Sequence, residues 1–134
     1  MDPQVIHGDY GPYNLMVRDG HPMTPIDFEL ARIDWRLNDI ISAFSTNVAK
    51  ADSEAMIKKM RVIAQGYQTV NPLSREEWQM LPYVWEFSTL RRVIVCWDQY
   101  LGDGLEERIV EIQRRMKRFD WVIREHKRLE TLMI

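Results

Sequence analysis

A single cysteine, Cys96, stands in the 134 residues, so no internal disulfide can form and no cysteine-based zinc cluster can be built. Long apolar runs are missing too. The longest pieces, such as Val93-Ile94-Val95-Cys96-Trp97, fall far short of the ~18 residues that cross a bilayer. Met1-Asp2-Pro3-Gln4 has neither the basic nor the apolar stretch of a secretory leader. There are no repeats and no low-complexity segments. These absences argue against a disulfide-stapled secreted module and a helical membrane protein, and the default expectation is a cytoplasmic protein.

Apolar residues at 46% and charged residues at 28% are close to the averages for globular domains, so disorder is not expected and the length suits one domain. The net charge of −2 is unevenly spread. Residues 1–40 carry seven acids against three arginines, a balance suited to holding metal ions or cationic ligands. Residues 105–134 carry eight basic side chains against six acids, alternating in sign as on a solvated helix face, which argues against a nucleic-acid patch.

The texture changes near residue 35. Val5-Ile6 reads as a strand stub, and His7-Gly8-Asp9-Tyr10-Gly11-Pro12-Tyr13 cannot be regular structure. Asn14–Val17 and Thr24–Phe28 read as two strands joined by the turn Arg18-Asp19-Gly20-His21-Pro22. Beyond Trp35 the apolar period becomes helical. Leu37, Ile40, Ile41 and Phe44 mark a short helix; Met56, Ile57, Met60, Ile63 and Ala64 mark a second, capped by Asp52 or Ser53 and ending near Gly66-Tyr67. Ser74 with Glu77 forms a capping box that opens a third helix, interrupted or kinked at Pro82 and running to Gly102-Asp103-Gly104. Leu105, Ile109, Ile112, Met116, Phe119 and Ile123 form the seam of a fourth, core-facing or self-pairing. The fold expected is mainly α (α+β): a small β-hairpin region, 1–34, followed by about four helices, 35–134, in one domain of 1–134. The tryptophans with Tyr67, Tyr83 and Tyr100 are expected mostly in the core, and Cys96 as a buried, inert thiol.

If the hairpin pairs its strands antiparallel, Asn14 at the start of one lies near Asp27 at the end of the other, and the loop bearing Asp9 returns to the same edge. Hard oxygen ligands of this kind suit Mg²⁺, and the remaining carboxylate is free to accept a proton from an attacking hydroxyl. His-x-Asp, Asn five residues after the Asp, and Asp-Phe thirteen residues after the Asn resemble the catalytic and metal-binding loops of the protein-kinase-like fold. The wording Val5-Ile6-His7-Gly8-Asp9-Tyr10-Gly11-Pro12-Tyr13-Asn14-Leu15 and Ile26-Asp27-Phe28-Glu29 resembles the aminoglycoside phosphotransferase superfamily, with its choline kinases and type II homoserine kinases.

The resemblance implies a kinase-like C-terminal lobe that transfers a phosphoryl group from Mg·ATP to the hydroxyl of an amino alcohol, aminoglycoside or similar small acceptor. It implies Asp9 as catalytic base, Asn14 and Asp27 as Mg²⁺ ligands, His7 as a buttress of the loop and Asp39 as the aspartate that ties down the loop backbone. Glu29 is left between approach to a cationic acceptor or second metal and a salt bridge with Arg32 or Arg36. Asp34, Asp98 and Asp103 are expected at the surface or in caps, and His21 and His126 are not expected as metal ligands. The acidic first third weakly favours a cationic acceptor. Such enzymes also carry an N-terminal lobe with a phosphate-covering loop and a nucleotide-binding lysine, for which the sequence offers no counterpart. The chain is therefore expected to be the C-terminal half of the enzyme, inactive without that lobe and prone to self-association through apolar surface that has lost its cover. Two other readings use the same residues: a non-catalytic module that acts by association, and a Mg²⁺-dependent phosphohydrolase, which the Asn and Asp-Phe-Glu spacing suits less well.

Overall fold

The computed structural model describes residues 2–21, 23–45 and 52–133. Among the described residues, two small antiparallel sheets precede five α-helices. In the first sheet β1 (Gln4–Ile6) pairs with β4 (Arg32–Asp34), with Val5 opposite Ile33. In the second, β2 (Leu15–Met16) pairs with β3 (Thr24–Pro25), with Leu15 opposite Pro25. The hairpin is shorter than the apolar pattern suggests. Asn14 belongs to a 3-10 turn over Pro12–Asn14, and the chain leaves extended structure before Asp27. The turn uses Gly20 at φ 75° and closes with His21 N–H donating to Arg18 O; Pro22 of the expected turn lies outside the described residues. The partner of the strand stub, β4, has no signal in the sequence, because Ile33 faces out at 73% exposure between two charged residues.

Helix α1 (Leu37–Phe44) buries Leu37, Ile40, Ile41 and Phe44. Helix α2 (Ser53–Val70) is capped by the Asp52 carboxylate, which accepts the Ala55 N–H, and it buries Met56, Ile57, Met60 and Ala64. It runs past Gly66-Tyr67, the stop expected from the sequence. A lone glycine costs a helix only about 1 kcal/mol, and here the Gln68 side chain bonds the backbone of Leu73 in both directions, so the break falls at Asn71-Pro72. The capping box forms as expected, opening α3 (Arg75–Gln79). Pro82 does not kink a helix. It sits in the first turn of a separate one, α4 (Leu81–Asp103), where a missing N–H costs little, so five helices replace the expected four. Gly104, at φ 65°, ends α4 in the left-handed conformation that glycine adopts without a Cβ penalty.

Helix α5 (Glu106–Glu130) packs along α4. Its inner face drifts off the expected seam: Trp121, Val122 and Leu129 are buried, whereas Leu105 and Ile123 are each 50% exposed. A straight α-helix has 3.6 residues per turn, so a strict seven-residue seam rotates away from a fixed neighbour. The core gathers Trp78, Trp85, Phe44, Leu37, Met60 and Leu129, with the Trp85 ring tilted against Phe44 and Trp121, centroids 6.1 Å and 6.0 Å away. Burying each such side chain contributes about 1.5–3 kcal/mol. Three expected core aromatics face solvent in part, Trp97 at 49%, Tyr83 at 47% and Trp35 at 36%. With Phe87, Leu90, Ile94 and Leu101, Trp97 and Tyr83 line the exposed side of α4, which is where an expected self-association would find apolar surface. No described helix is long and apolar enough to cross a membrane.

Candidate active site

The loop between β1 and the 3-10 turn is held in place by its backbone. Asp39, in the first turn of α1, accepts the His7 N–H on Oδ2 and the Gly8 N–H on Oδ1, each at 2.8 Å. Gly8 lies at φ 85°, and a Cβ there would stand 2.1 Å from the Leu30 carbonyl oxygen. Only glycine passes that crossing. The His7 ring is buried against Phe28, centroids 4.5 Å apart, with Nε2 2.9 Å from Ile26 O. Its Nδ1 accepts the Asp9 N–H at 3.4 Å, which leaves Nε2–H as the donor to Ile26. His7 thus ties the loop to the segment bearing Asp27 and presents no free nitrogen to a reactant.

Asp9 and Asn14 meet directly. Asn14 Nδ2 donates to Asp9 O at 2.9 Å and to Asp9 Oδ2 at 3.1 Å, and the Tyr13 hydroxyl donates to Asp9 Oδ1 at 3.3 Å. Burial, then the Asp9 charge, pushes the Tyr13 hydroxyl above its ordinary value. With both Asn14 donors committed, its Oδ1 is the atom left to face a cation. The Ile26 N–H donates to Asn14 O at 3.0 Å, so Asp27 follows the residue bonded to Asn14. Asp27 makes no side-chain hydrogen bond among the described residues and sits at φ 64°, the only non-glycine at positive φ there. A left-handed aspartate is a costly conformation that surrounding structure must enforce, and such residues cluster at functional sites.

The donor set fits Mg²⁺. One carboxamide oxygen and one carboxylate are hard ligands, and Mg²⁺ is commonly held by one or two carboxylates with phosphates and water completing the shell. No group of three or more His, Cys, Asp or Glu side chains among the described residues makes a closed protein cage. Glu29 lies exposed. Neither arginine suggested as its partner is available, since Arg32 pairs with Asp34 at 2.9 Å and Arg36 with Glu77 at 2.6 Å. Asp34 is more than a surface acid: it also caps Trp35 N–H and reaches Arg91 of α4 at 3.5 Å. Burial would raise its pKa, but the Trp35 N–H, Arg32 and Arg91 together hold the carboxyl below its usual range.

The model of the phosphotransferase enzyme family (APH) matches residues 1–79, more than half of the chain and all of the loop residues just described. The chain belongs to the phosphotransferase enzyme family. Curated relatives include the homoserine kinase of Phenylobacterium zucineum (strain HLK1), 37% identical over 87 residues, 65% of this chain and 27% of that protein. The homoserine kinase of Chelativorans sp. (strain BNC1) is 34% identical over 87 residues, with the same coverage, and that of Acidiphilium cryptum (strain JF-5) is 33% identical over 86. The matches thus span about a quarter of the length of these relatives. No solved structure gives a significant match.

Beside the phosphotransferase loop lies a cavity of about 380 Å³, walled by Asp9 and Tyr13 on one side and by α1, α4 and α5 on the other. Four arginines line it, Arg92, Arg114, Arg115 and Arg118, against two carboxylates, Asp9 and Glu111. Arg92 donates to Gly8 O at 3.2 Å, linking α4 to the loop across 84 residues. None of these arginines stands out in the sequence. The three on α5 belong to a charge pattern that reads as a solvated face, and only the packing of α5 on α4 turns Arg115 and Arg118 partly inward, while Arg114 stays exposed at the rim.

Proposed function

We propose that this chain forms the catalytic lobe of a Mg·ATP-dependent kinase that phosphorylates the hydroxyl of homoserine or a closely similar small acceptor, within a protein-kinase-like fold. The observation that carries the reading is the Asp9–Asn14 pair beside a cavity of amino-acid size, on a loop clamped by Asp39 and Gly8. The names of the curated relatives support homoserine over an aminoglycoside or choline.

In this reading Asp9 Oδ1 or Oδ2 receives the proton of the acceptor hydroxyl as its oxygen attacks the γ-phosphorus and the bond to the ADP oxygen breaks. Asn14, through Oδ1, and the Asp27 carboxylate would hold Mg²⁺, which would supply neutralisation of phosphate charge. The Asn14 Nδ2 and Tyr13 hydroxyl orient the Asp9 carboxylate toward the cavity, and His7 and Asp39 keep the loop rigid without touching the reactants. The described residues offer no glycine-rich phosphate cover and no strand lysine, so the nucleotide is clamped with help from a lobe outside them.

The test is ADP release from Mg·ATP with homoserine, in the protein that carries this chain with its nucleotide lobe. Asp9→Asn is expected to lower kcat by about 10²–10⁴-fold, the usual contribution of a positioned base. Release that ignores Asp9 overturns the assignment. A folded, ATP-binding protein with no transfer to homoserine or related alcohols would return the chain to a non-catalytic role.

A further inference from the structure

The cavity beside Asp9 has a charge pattern that phosphoryl transfer does not itself explain. Phosphates would enter on the Asn14 and Asp27 side, whereas the arginines come from α4 and α5, Arg92 reaching the loop at Gly8 O and the other three belonging to α5. They also lie beyond residue 79, where the family match ends. Glu111 is the one carboxylate within their reach on α5, and it is already engaged by Arg114 at 2.6 Å and Arg115 at 2.7 Å. Arg92 and Arg118 form no ion pair among the described residues, although both are half-buried. Burial, then the charge of Arg115, lowers the pKa of each. Arg115 is 16% exposed, and its Nε is the only buried side-chain polar atom among the described residues without a hydrogen-bond partner. That Nε is shut off from the cavity, so the charge balance rests on the lining itself: four guanidiniums against two carboxylates, with Arg92 and Arg118 in no ion pair among the described residues, mark a place where something anionic belongs.

We infer that Arg115 and Arg118, with Arg92 lining the same cavity beside the loop, form an acceptor subsite that holds a carboxylate, so that the substrate is a small hydroxy acid anchored by its carboxylate with its hydroxyl turned to Asp9. The inference rests on the reading of Asp9 as the phosphoryl-transfer base. A guanidinium is a planar fork that matches a carboxylate with two parallel hydrogen bonds, a preference that a lone ammonium lacks. A cavity of about 380 Å³ is at the small end of ligand sites, suited to an amino-acid-sized molecule with a few waters. The wall is opposite in sign to what a quaternary amine such as choline would require. The acidic first third therefore does not set acceptor charge; its carboxylates serve the loop and metal side.

Calorimetric titration of homoserine, and of its carboxamide, into the full-length protein tests the subsite without requiring turnover. Homoserine is expected to bind and the carboxamide to bind about 10–100-fold more weakly, the loss of a charge-assisted pair. Arg118→Gln and Arg115→Gln are each expected to erase that difference, and Arg118→Lys to restore part of it. Equal binding of the two ligands by the unmodified protein, or a preference that survives both glutamine variants, overturns the inference; the ligand comparison needs no variant to fold. Transfer assays separate the two readings. Carboxylate-selective binding without phosphoryl transfer leaves the subsite standing and removes the kinase reading, whereas transfer with equal KM for acid and amide does the reverse.

Discussion

The carboxylate of Asp39 holds the backbone N–H of His7 at 2.8 Å across 32 residues of sequence, and its other oxygen holds the N–H of Gly8 at the same distance. One side chain on the first turn of α1 thereby fixes two consecutive peptide units of the loop that presents Asp9. Asp39→Ala would leave both N–H groups unpaired in a half-buried setting, at a cost of about 1–3 kcal/mol each before relaxation. Urea denaturation is expected to show the loss, and amide exchange at His7 and Gly8 to accelerate more than at core residues of α1. Asp39→Asn, with one acceptor oxygen, should fall between.

Gly8→Ala is expected to be worse than a generic loop substitution. The residue is at φ 85°, and the added methyl would lie 2.1 Å from Leu30 O and 2.5 Å from the Arg32 guanidinium. Arg32 can move; the Leu30 backbone can do so only by opening β4. Thermal unfolding should register a loss of more than about 2 kcal/mol, the backbone strain alone accounting for 1–3. Gly66→Ala is the control. Nothing lies within 4 Å of its Cβ position, and it sits inside α2, so it should stabilise by up to about 1 kcal/mol.

Asp27 separates stability from chemistry. At φ 64° its backbone favours glycine, and its side chain has no hydrogen-bond partner among the described residues. Asp27→Gly should change stability by less than about 1 kcal/mol, strain relief being set against the entropy glycine loses on folding. Mg²⁺-dependent ATP binding, followed by calorimetry, is expected to disappear. Retention of that binding would remove Asp27 from the metal site.

The pair Arg36–Glu77 predicts an acid-sensitive limb of stability. The two side chains are 17% and 14% exposed, and Arg36 Nη1 adds a bond to Asn71 Oδ1 at 2.8 Å. The Arg36 hydrogen bond, opposed by burial, holds Glu77 below the usual value of 4.5. A depressed carboxylate gives stability that is fully present above its unfolded value and is lost as pH falls through the folded one. Denaturant midpoints should therefore decline from about pH 4.5 downward. Glu77→Gln should flatten that decline and cost about 2 kcal/mol at neutral pH, since it also weakens the capping box.

The sequence alone carried the family motif of the loop and the helix caps at Asp52 and Ser74, though not the separate start of α4 at Leu81. His7-Gly8-Asp9, Asn14 and Asp27-Phe28 are close in the chain, and local rules place them: glycine permits the crossing at Gly8, the Asp19-Gly20 turn folds the hairpin back, and Ser74 with Glu77 caps itself. Such features depend on a few neighbouring residues, so spacing reveals them. Tertiary structure decided what depends on distant partners. The pairing of β1 with β4 and the burial of Trp121, Val122 and Leu129 on α5 are settled by packing between elements tens of residues apart, whereas α2 continues past Gly66 to a break set by the Gln68 side chain and Leu73. The arginine wall belongs to that second group. Arg92 and Arg118 sit on separate helices, Arg118 in a segment whose charges read as solvent-facing and Arg92 in one with no charge signal, and only the docking of α5 along α4 brings them to one cavity that opens on Asp9.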